Sequence, residues 1–461
     1  MGEKRIAIKP FEMISILDYK GIQEVNKHGH VKIRGVIRAE KKDEYIKRAS
    51  EETWVQVLTY DDKDVESSLF YGVVTELNIQ SQGEGCVMEL ELFTGTKLMD
   101  YKKHFRSFQR EGYSYKELVE ICNENYSHSG VIVTEGKGVS LPGFTLQYEE
   151  TDWEFLKRSA SQLNTVLVPS CKVKGAKYFF GLPEKKANIE FSKEDYIVRR
   201  HSGNFDRERA ESGSLKEVSY LVESRDYCEL GSQVSFCGMN LYIFSIETMW
   251  KGSELYHRYD LRTRNGLKVS RIYNQEMIGL SLMGTVDKVK DERVKLSIHG
   301  DENQQSGYRW FAYSTVYSSP DGAGWYCMPE QGDMVRLYLP VSDEADAYAV
   351  SGYHENQGDG IRTEPDNKIW RNKEGKEIRM TPDQILITNN SGLSVELSDQ
   401  KGIRIISDSS VLIHASDGIN ISSSNASVEL SASNSIVLKQ GETIMRMADG
   451  ISFEGGKINL Q

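Results

Sequence analysis

What this 461-residue chain lacks narrows its possibilities first. Its six cysteines (Cys86, Cys122, Cys171, Cys228, Cys237 and Cys327) are scattered with no CxxC pair. Neither a disulfide framework nor a zinc site is encoded, and buried reduced thiols are expected. No run of eighteen apolar residues occurs, so hydropathy offers no membrane-spanning helix. The start, Met1-Gly-Glu-Lys-Arg-Ile-Ala-Ile, lacks the apolar stretch of a secretory signal, and synthesis and folding in the cytoplasm are expected. Basic clusters are missing too. With 57 Lys and Arg against 68 Asp and Glu, the formal net charge is -11, which argues against a nucleic-acid binder. Proline is scarce, at 9 residues against 24 tyrosines, and with many Val, Ile and Thr runs this leans toward strands.

What is present is most regular at the end. From Glu377 to Gln461, apolar residues come in pairs separated by one intervening residue, polar in eight of the eleven: Ile378/Met380, Ile385/Ile387, Val395/Leu397, Ile403/Ile405, Val411/Ile413, Ile419/Ile421, Val428/Leu430, Ile436/Leu438, Met445/Met447, Ile451/Phe453 and Ile458/Leu460. A spacing of two is the strand period, and the Ser, Asp, Asn and Gly residues between pairs form turns. First members recur about every eight residues, so the unit is a short strand and a turn, repeated.

Such a unit encloses no core by itself. Eight residues go about a third of the way round a single-chain solenoid turn of roughly twenty residues. The economical closure is three identical chains about one axis, each supplying one wall and pointing its apolar pairs inward. Eleven rungs at ~4.8 Å give a rod on the order of 50 Å long. The expected rod core is Val395, Leu397, Ile403, Ile405, Val411, Ile413, Ile419, Ile421, Val428, Leu430, Ile436 and Leu438. An antiparallel sandwich or barrel would also carry alternating segments, but not with so even a period. A disordered polar tract would fit the fourteen serines between Ser391 and Ser435, but not the register of the aliphatics.

The preceding residues read as a series of β-modules. Residues 1–100 alternate in strand fashion at Val31, Trp54, Leu69 and Cys86 and suggest a first barrel. Residues 101–170 change texture. Ser114-Tyr-Lys-Glu117 and Thr151-Asp-Trp-Glu154 are capping boxes opening two short helices on either side of an extended stretch. Strand texture returns over 171–275 as a second barrel, and 276–355 reads as a small Greek-key barrel of five or six strands. That barrel carries Asp321, Glu330, Asp333, Asp343, Glu344 and Asp346, an acidic set unsuited to phosphate, so a structural collar is expected. Residues 356–376 form a polar connector and 377–461 the rod. Glu149, Glu150 and Asp152 could be imagined as a glycosidase pair, but a place beside a helix cap explains them more simply.

Three stretches in order carry a resemblance: His104-Phe-Arg-Ser-Phe-Gln with the Tyr115 helix; Thr151-Asp-Trp-Glu-Phe-Leu-Lys-Arg; and Gly324-Trp-Tyr-Cys-Met-Pro-Glu-Gln-Gly-Asp-Met-Val with Ala349-Val-Ser-Gly. Followed by the eight-residue repeat, they resemble the spike proteins of contractile injection systems, the valine-glycine repeat protein G family and its phage-tail and bacteriocin relatives. The resemblance implies a mainly β homotrimer with two hub β-barrels, short helices, an OB-type collar and a C-terminal intertwined triple-stranded β-helix. It further implies tube or tube-initiator and baseplate proteins as partners, transient contact with a target envelope, and no catalytic step or cofactor. Some relatives carry a lysozyme domain after the collar, for which the 356–376 connector has no room. Others bind iron at the apex through His-x-His, whereas the rod holds His414 alone, so no metal is expected. A separate tip-capping protein is expected to cover Ile458, Leu460 and Gln461. The alternative is a trimeric phage-type fibre or receptor-binding protein, with adhesion epitopes at its far end.

Overall fold

The computed structural model describes all residues except 1–4, 50–51, 61–64, 83–84, 201–217, 253, 304–306, 356–359, 455–456 and 458–461. The chain divides into two compact units, Met1–Glu355 and Asn356–Gln461.

The first unit opens with β1 (Arg5–Lys9), β2 (Ser15–Glu24), β3 (His30–Ile37), β4 (Trp54–Tyr60), β5 (Glu66–Gln82) and β6 (Gly85–Thr94). Alternation sends Val31, Ile33, Val55, Val57, Phe70, Met88, Leu90 and Leu92 into one core. The charged connection between β3 and β4 is not plain loop. It contains α1 (Lys42–Arg48), whose acidic first turn and basic last turn suit the helix dipole and whose one buried residue is Tyr45. That ring sets its edge against Phe11, with centroids 5.2 Å apart.

Next come β7 (Lys103–Phe108), α2 (Tyr115–Asn123), β8 (Gly130–Val133), β9 (Thr145–Thr151), α3 (Asp152–Gln162), β10 (Leu167–Pro169) and β11 (Lys177–Phe180). Both capping boxes form with reciprocal bonds, Ser114 with Glu117 and Thr151 with Glu154. Each such cap is worth ~1 kcal/mol. By texture the strand run at Lys177 belongs with the second barrel expected over 171–275. Instead, β11 pairs with β8 and β10 and packs Tyr178 and Phe180 against Leu118, Trp153 and Phe155 of the two helices.

The strands β12 (Tyr196–Arg200), β13 (Val218–Ser224), β14 (Gln233–Phe236), β15 (Met239–Lys251) and β16 (Glu254–Arg262) surround a second core of Val222, Val234, Leu241, Ile246, Tyr259 and Leu261. Two separate barrels were expected here. The ladders instead run on into one eleven-stranded sheet, in the order β1-β4-β5-β6-β3-β2-β15-β16-β13-β12 with β14 also on β15. The reason lies in strand lengths. β14 pairs only with the first four residues of β15, which leaves the edge from Ser245 to Met249 for β2, paired from Ser245↔Glu24 to Met249↔Lys20.

The module after residue 276 is a closed barrel of five strands: β17 (Leu280–Lys290), β18 (Arg293–Ile298), β19 (Trp310–Ser314), β20 (Met334–Leu339) and β21 (Tyr348–Tyr353), in the order β17-β18-β19-β21-β20. Val286, Val294, Leu296, Phe311, Val335, Leu337 and Ala349 fill it. The Gly324 to Gly332 stretch, which reads like the start of a strand, is loop. Gly324 has φ +144, and a Cβ there would collide with the Tyr317 carbonyl oxygen.

The second unit is an antiparallel meander of β22 (Lys368–Arg371), β23 (Glu377–Thr381), β24 (Gln384–Thr388), β25 (Ser394–Ser398) and β26 (Gly402–Ile406), then a three-stranded sheet of β27 (Ile436–Gln440), β28 (Thr443–Met447) and β29 (Ile451–Glu454). Residues 407–435 carry no strand. The polar connector thus contributes a strand, with Trp370 opposite Ile378. Cys86, Cys122, Cys171 and Cys228 are buried free thiols, whereas Cys237 and Cys327 are exposed.

Candidate assembly site

The meander turns the sequence repeat into a surface. Ladder pairing sets Ile378 opposite Ile387, Met380 opposite Ile385, Ile385 opposite Leu397, Ile387 opposite Val395, Val395 opposite Ile405 and Leu397 opposite Ile403. Directly opposed residues share a face, so every apolar pair lies on one side, while Arg379, Glu396 and Arg404 lie on the other. A trough of about 560 Å³ runs over this side, lined by Trp370, Ile378, Ile387, Val395 and Ile405 among others. The side is open: Ile403 is 73% and Ile405 60% exposed. Glu377 is buried in the meander, its carboxylate accepting from Arg379 Nε at 2.5 Å and Asn390 Nδ2 at 3.3 Å.

The last sheet repeats the device. Ile436 faces Met447, Leu438 faces Met445, and Met445 faces Phe453. Between the two sheets, Val411, Ile413, Ile419, Ile421, Val428 and Leu430 are all at least half exposed, in residues without a strand. Ile458, Leu460 and Gln461 lie outside the described residues. Contiguous apolar area of this kind marks an interaction surface.

A second constellation lies inside the first unit and gathers the two sequence motifs. On β7, His104 Nδ1 is 2.7 Å from Glu302 of the closed barrel, and Arg106 Nη1 donates to Asp152 Oδ1 at 2.5 Å and to Gln147 at 3.0 Å. Tyr126 donates to the other Asp152 oxygen at 2.8 Å. Ser107 is tied through its backbone N–H to Asp301 at 2.9 Å. On α3, Arg158 grips Glu150 with Nε and Nη2, both at 2.8 Å, reaches Glu344 of the closed barrel at 2.7 Å with Nη1, and donates to the Leu146 carbonyl at 2.6 Å. The motif residues therefore clamp the bridging segment to the barrel. Glu150 and Asp152, weighed above as an acid pair, are each occupied by a buried arginine. Glu344, counted from sequence as surface acid, is buried. No signal in the sequence marks Asp301, Glu302 or Glu344 as partners of these motifs, because the contacts span nearly two hundred residues.

His28 joins the same region from β2–β3, 2.8 Å from Thr96 and 2.7 Å from Asp100, with its ring 4.9 Å from that of Trp153. Burial pushes its imidazole below the ordinary value, outweighing the Asp100 hydrogen bond. Asp100 is held below the usual carboxylate range: burial opposes its charge, but the His28 and Thr151 hydrogen bonds and the nearby cations prevail. Both groups bind fewer protons folded than unfolded, so their contribution is complete above ~6.5, the unfolded histidine value, and is lost as pH falls through the two folded values. The melting temperature is expected to drop between pH 7 and 5, with a shallower drop in His28→Gln. An equal slope in the variant would exclude His28 as the group responsible.

The closed barrel also carries a cation ladder. Lys288 is opposite Lys295, which is opposite Trp310, and Lys290 is opposite Arg293. Among the described residues no group of three or more His, Cys, Asp or Glu is disposed to hold a metal.

No family model and no curated protein matches this sequence. The fold, however, is shared with a component of type VI secretion and with chains of a PdpA–VgrG complex. The E. coli c3393 protein, a type VI secretion component described as similar to the T4 tail proteins gp27 and gp5, superposes with a TM-score of 0.55 at 12% identity, over 76% of this chain and all of its own. Chains of the Francisella PdpA–VgrG complex superpose at 0.58 in the half-lidded form (10% identity, 87% of each chain) and 0.57 in the lidless form (9% identity, 87% of this chain and 98% of the other).

Proposed function

We propose that this chain is the central spike and hub of a contractile injection apparatus, joining a six-fold tube to a three-fold needle that pierces a membrane. The observation that carries the reading is the one-sided apolar ladder of the second unit, in a chain whose fold is shared with a type VI secretion component. A sheet with one bare apolar face cannot be the end state of a protein in water. Three such walls, apolar faces inward, bury it. On this reading β1–β6 and β12–β16, joined edge to edge through β2 and β15, act as two hub barrels, the closed barrel is an OB-type collar, and the repeat winds into a triple-stranded β-helix. Residues 407–435 acquire their ladder from neighbouring copies.

The partners that follow are tube or tube-initiator proteins at the hub, baseplate proteins around it and a separate cap over Ile458, Leu460 and Gln461. The envelope contact is transient, and no nucleic acid, cofactor or catalytic step is involved. The VgrG of the Francisella complex is joined to PdpA, which supports a hub that engages further proteins. Light scattering on the purified chain is expected to give three times the 52.4 kDa chain mass. A stable monomer at micromolar concentration would overturn the reading.

A further inference from the structure

The cation ladder on the closed barrel consists of two like-charge rungs side by side. Lys288 is opposite Lys295, and Lys290 is opposite Arg293. Like charges directly opposed across a ladder lower stability. Elsewhere in the first unit such a pair is neutralised: Lys20 faces Lys32, but Glu247 lies 3.8 Å from the first ammonium and Glu91 3.3 Å from the second. Among the described residues none of the four barrel cations has a carboxylate partner. Lys288, Lys290 and Arg293 are exposed. Lys295 is half-buried, with its ammonium 5.1 Å from the centre of the Trp310 ring, a contact that holds its stem along the barrel surface.

A bulge makes this arrangement. The ladder runs through Val286↔Leu296, then skips Asp287 to reach Lys288↔Lys295. Val286 and Leu296 point into the core, as does Val294 opposite Val289. Without the extra residue Asp287 would stand opposite Lys295 and neutralise it, and Lys288 would turn inward opposite Val294. With the bulge, Asp287 accepts instead from Ser297 Oγ at 2.7 Å, and both lysines face outward beside Lys295 and Arg293. In a chain of net charge -11, four cations are thereby gathered on one patch although their repulsion lowers local stability. A local rule broken in this way marks a place where function is expected.

The patch has a definite size. Residues two apart on a strand lie ~7 Å apart, and directly opposed ones ~5 Å. The array is two rungs on two strands, and it ends at the β17–β18 turn, where Asp291 and Glu292 are exposed. A phosphate polymer following the ladder, or a flat anionic membrane laid over it, meets those two carboxylates. A short extended peptide with carboxylates at alternate positions, also ~7 Å apart, matches the two rungs and stops before the turn. β18 is paired on both sides, with β17 and β19, so recognition runs through side chains and not through strand addition.

We propose that Lys288, Lys290, Arg293 and Lys295 form a docking site for an acidic, extended segment of another protein, with Asp or Glu at every second residue. One carboxylate sits between Lys288 and Lys295, and the next between Lys290 and Arg293. The site gives a chemistry to one of the proteins assembled around the hub, and it rests on the hub reading for what that partner is.

Fluorescence anisotropy on the full chain at low salt tests it, with a labelled peptide of four Glu-Thr repeats as the probe. Binding is expected, weakened at least tenfold by Lys288→Glu with Arg293→Glu. The control, Lys137→Glu with Lys193→Glu, makes the same change in net charge elsewhere and should keep the parent affinity within about twofold. All four side chains are exposed, so folding is not at stake. A peptide of the same composition with its glutamates in one block is expected to bind several-fold more weakly than the alternating one. Binding that is absent, or that falls equally in the two double variants, overturns the proposal. So does tighter binding of an oligothymidylate or of phosphatidylglycerol vesicles through the same residues. A trimer that Lys288→Glu with Arg293→Glu converts to monomer, while the control stays trimeric, makes the array a contact between copies and overturns the docking site as well. A parent chain that scatters as a monomer and still binds the peptide through these residues overturns the hub reading and upholds the site.

Discussion

Ile405→Asp is expected to abolish the trimer while leaving the first unit folded. Ile405 lies on β26 opposite Val395, in the apolar ladder, and on the trimer reading it points at the axis. Three carboxylates would then share a dry centre, where each unpaired one costs several kcal/mol through lost hydration and the three repel one another. Two controls isolate the cause. Arg404→Asp places the same charge on the opposite face of the same strand and should change stability by no more than ~0.5 kcal/mol. Ile405→Val removes one buried methylene and should cost ~1 kcal/mol per chain. Because buried carboxyls titrate upward, the Ile405→Asp trimer should recover in part as pH falls toward 4 and the groups take up protons. Light scattering and thermal melting check all three variants. An unchanged trimer melt in Ile405→Asp would overturn the inward assignment.

The ladder behind that result was legible in the sequence because period two and a recurring turn are local properties. Ile385, Ile387, Val395 and Leu397 announce both the strand and its face, and the register places them opposite one another. Two features were not legible. Lys368–Arg371 reads as polar connector, yet Trp370 opposite Ile378 makes it the first strand of the meander. Nor does periodicity distinguish the residues that pair within the chain, up to Ile406, from those between Val411 and Leu430 that do not. Their side-chain patterns are alike, so the pattern alone does not mark where the meander stops.

In the first unit the helices were readable from their caps, because Ser114 and Thr151 satisfy amides within three residues of themselves. The closed barrel was readable from closely spaced strands, though the Gly324 stretch masqueraded as one of them. The joining of two expected barrels into one sheet was not readable. It depends on β14 being too short to cover β15, and a strand's length relative to its neighbour emerges only once the register is known. The motifs His104 to Gln109 and Thr151 to Arg158 were visible as motifs but silent about their purpose. Their charged members act by meeting Glu302 and Glu344, and no local pattern encodes a contact across so many residues.

The sharpest consequence of that clamp is at Arg158, which is buried and bonded to Glu150, Glu344 and the Leu146 carbonyl. Arg158→Met keeps the aliphatic stem but strands two carboxylates in the interior, and a loss of ~3–5 kcal/mol is expected in urea melts at pH 7. Burial already pushes the Glu150 carboxyl above its usual value in spite of the guanidinium. Without the cation the Glu150 carboxyl should rise further. A group whose folded value is raised contributes fully below its unfolded value and loses that contribution as pH climbs through the folded one. The variant should therefore gain stability on moving from pH 7 toward 5, against the direction set by His28 and Asp100 in the parent. Adding Glu150→Gln and Glu344→Gln removes the stranded charges, and most of the lost stability should return, since replacing an entire buried ion cluster by neutral groups is often close to neutral. A loss below ~1 kcal/mol in Arg158→Met, or a triple variant no better than the single one, would mean that the arginine does not hold the barrel to the bridging helices; full recovery would locate the clamp's value in charge pairing that the rest of the interior cannot supply.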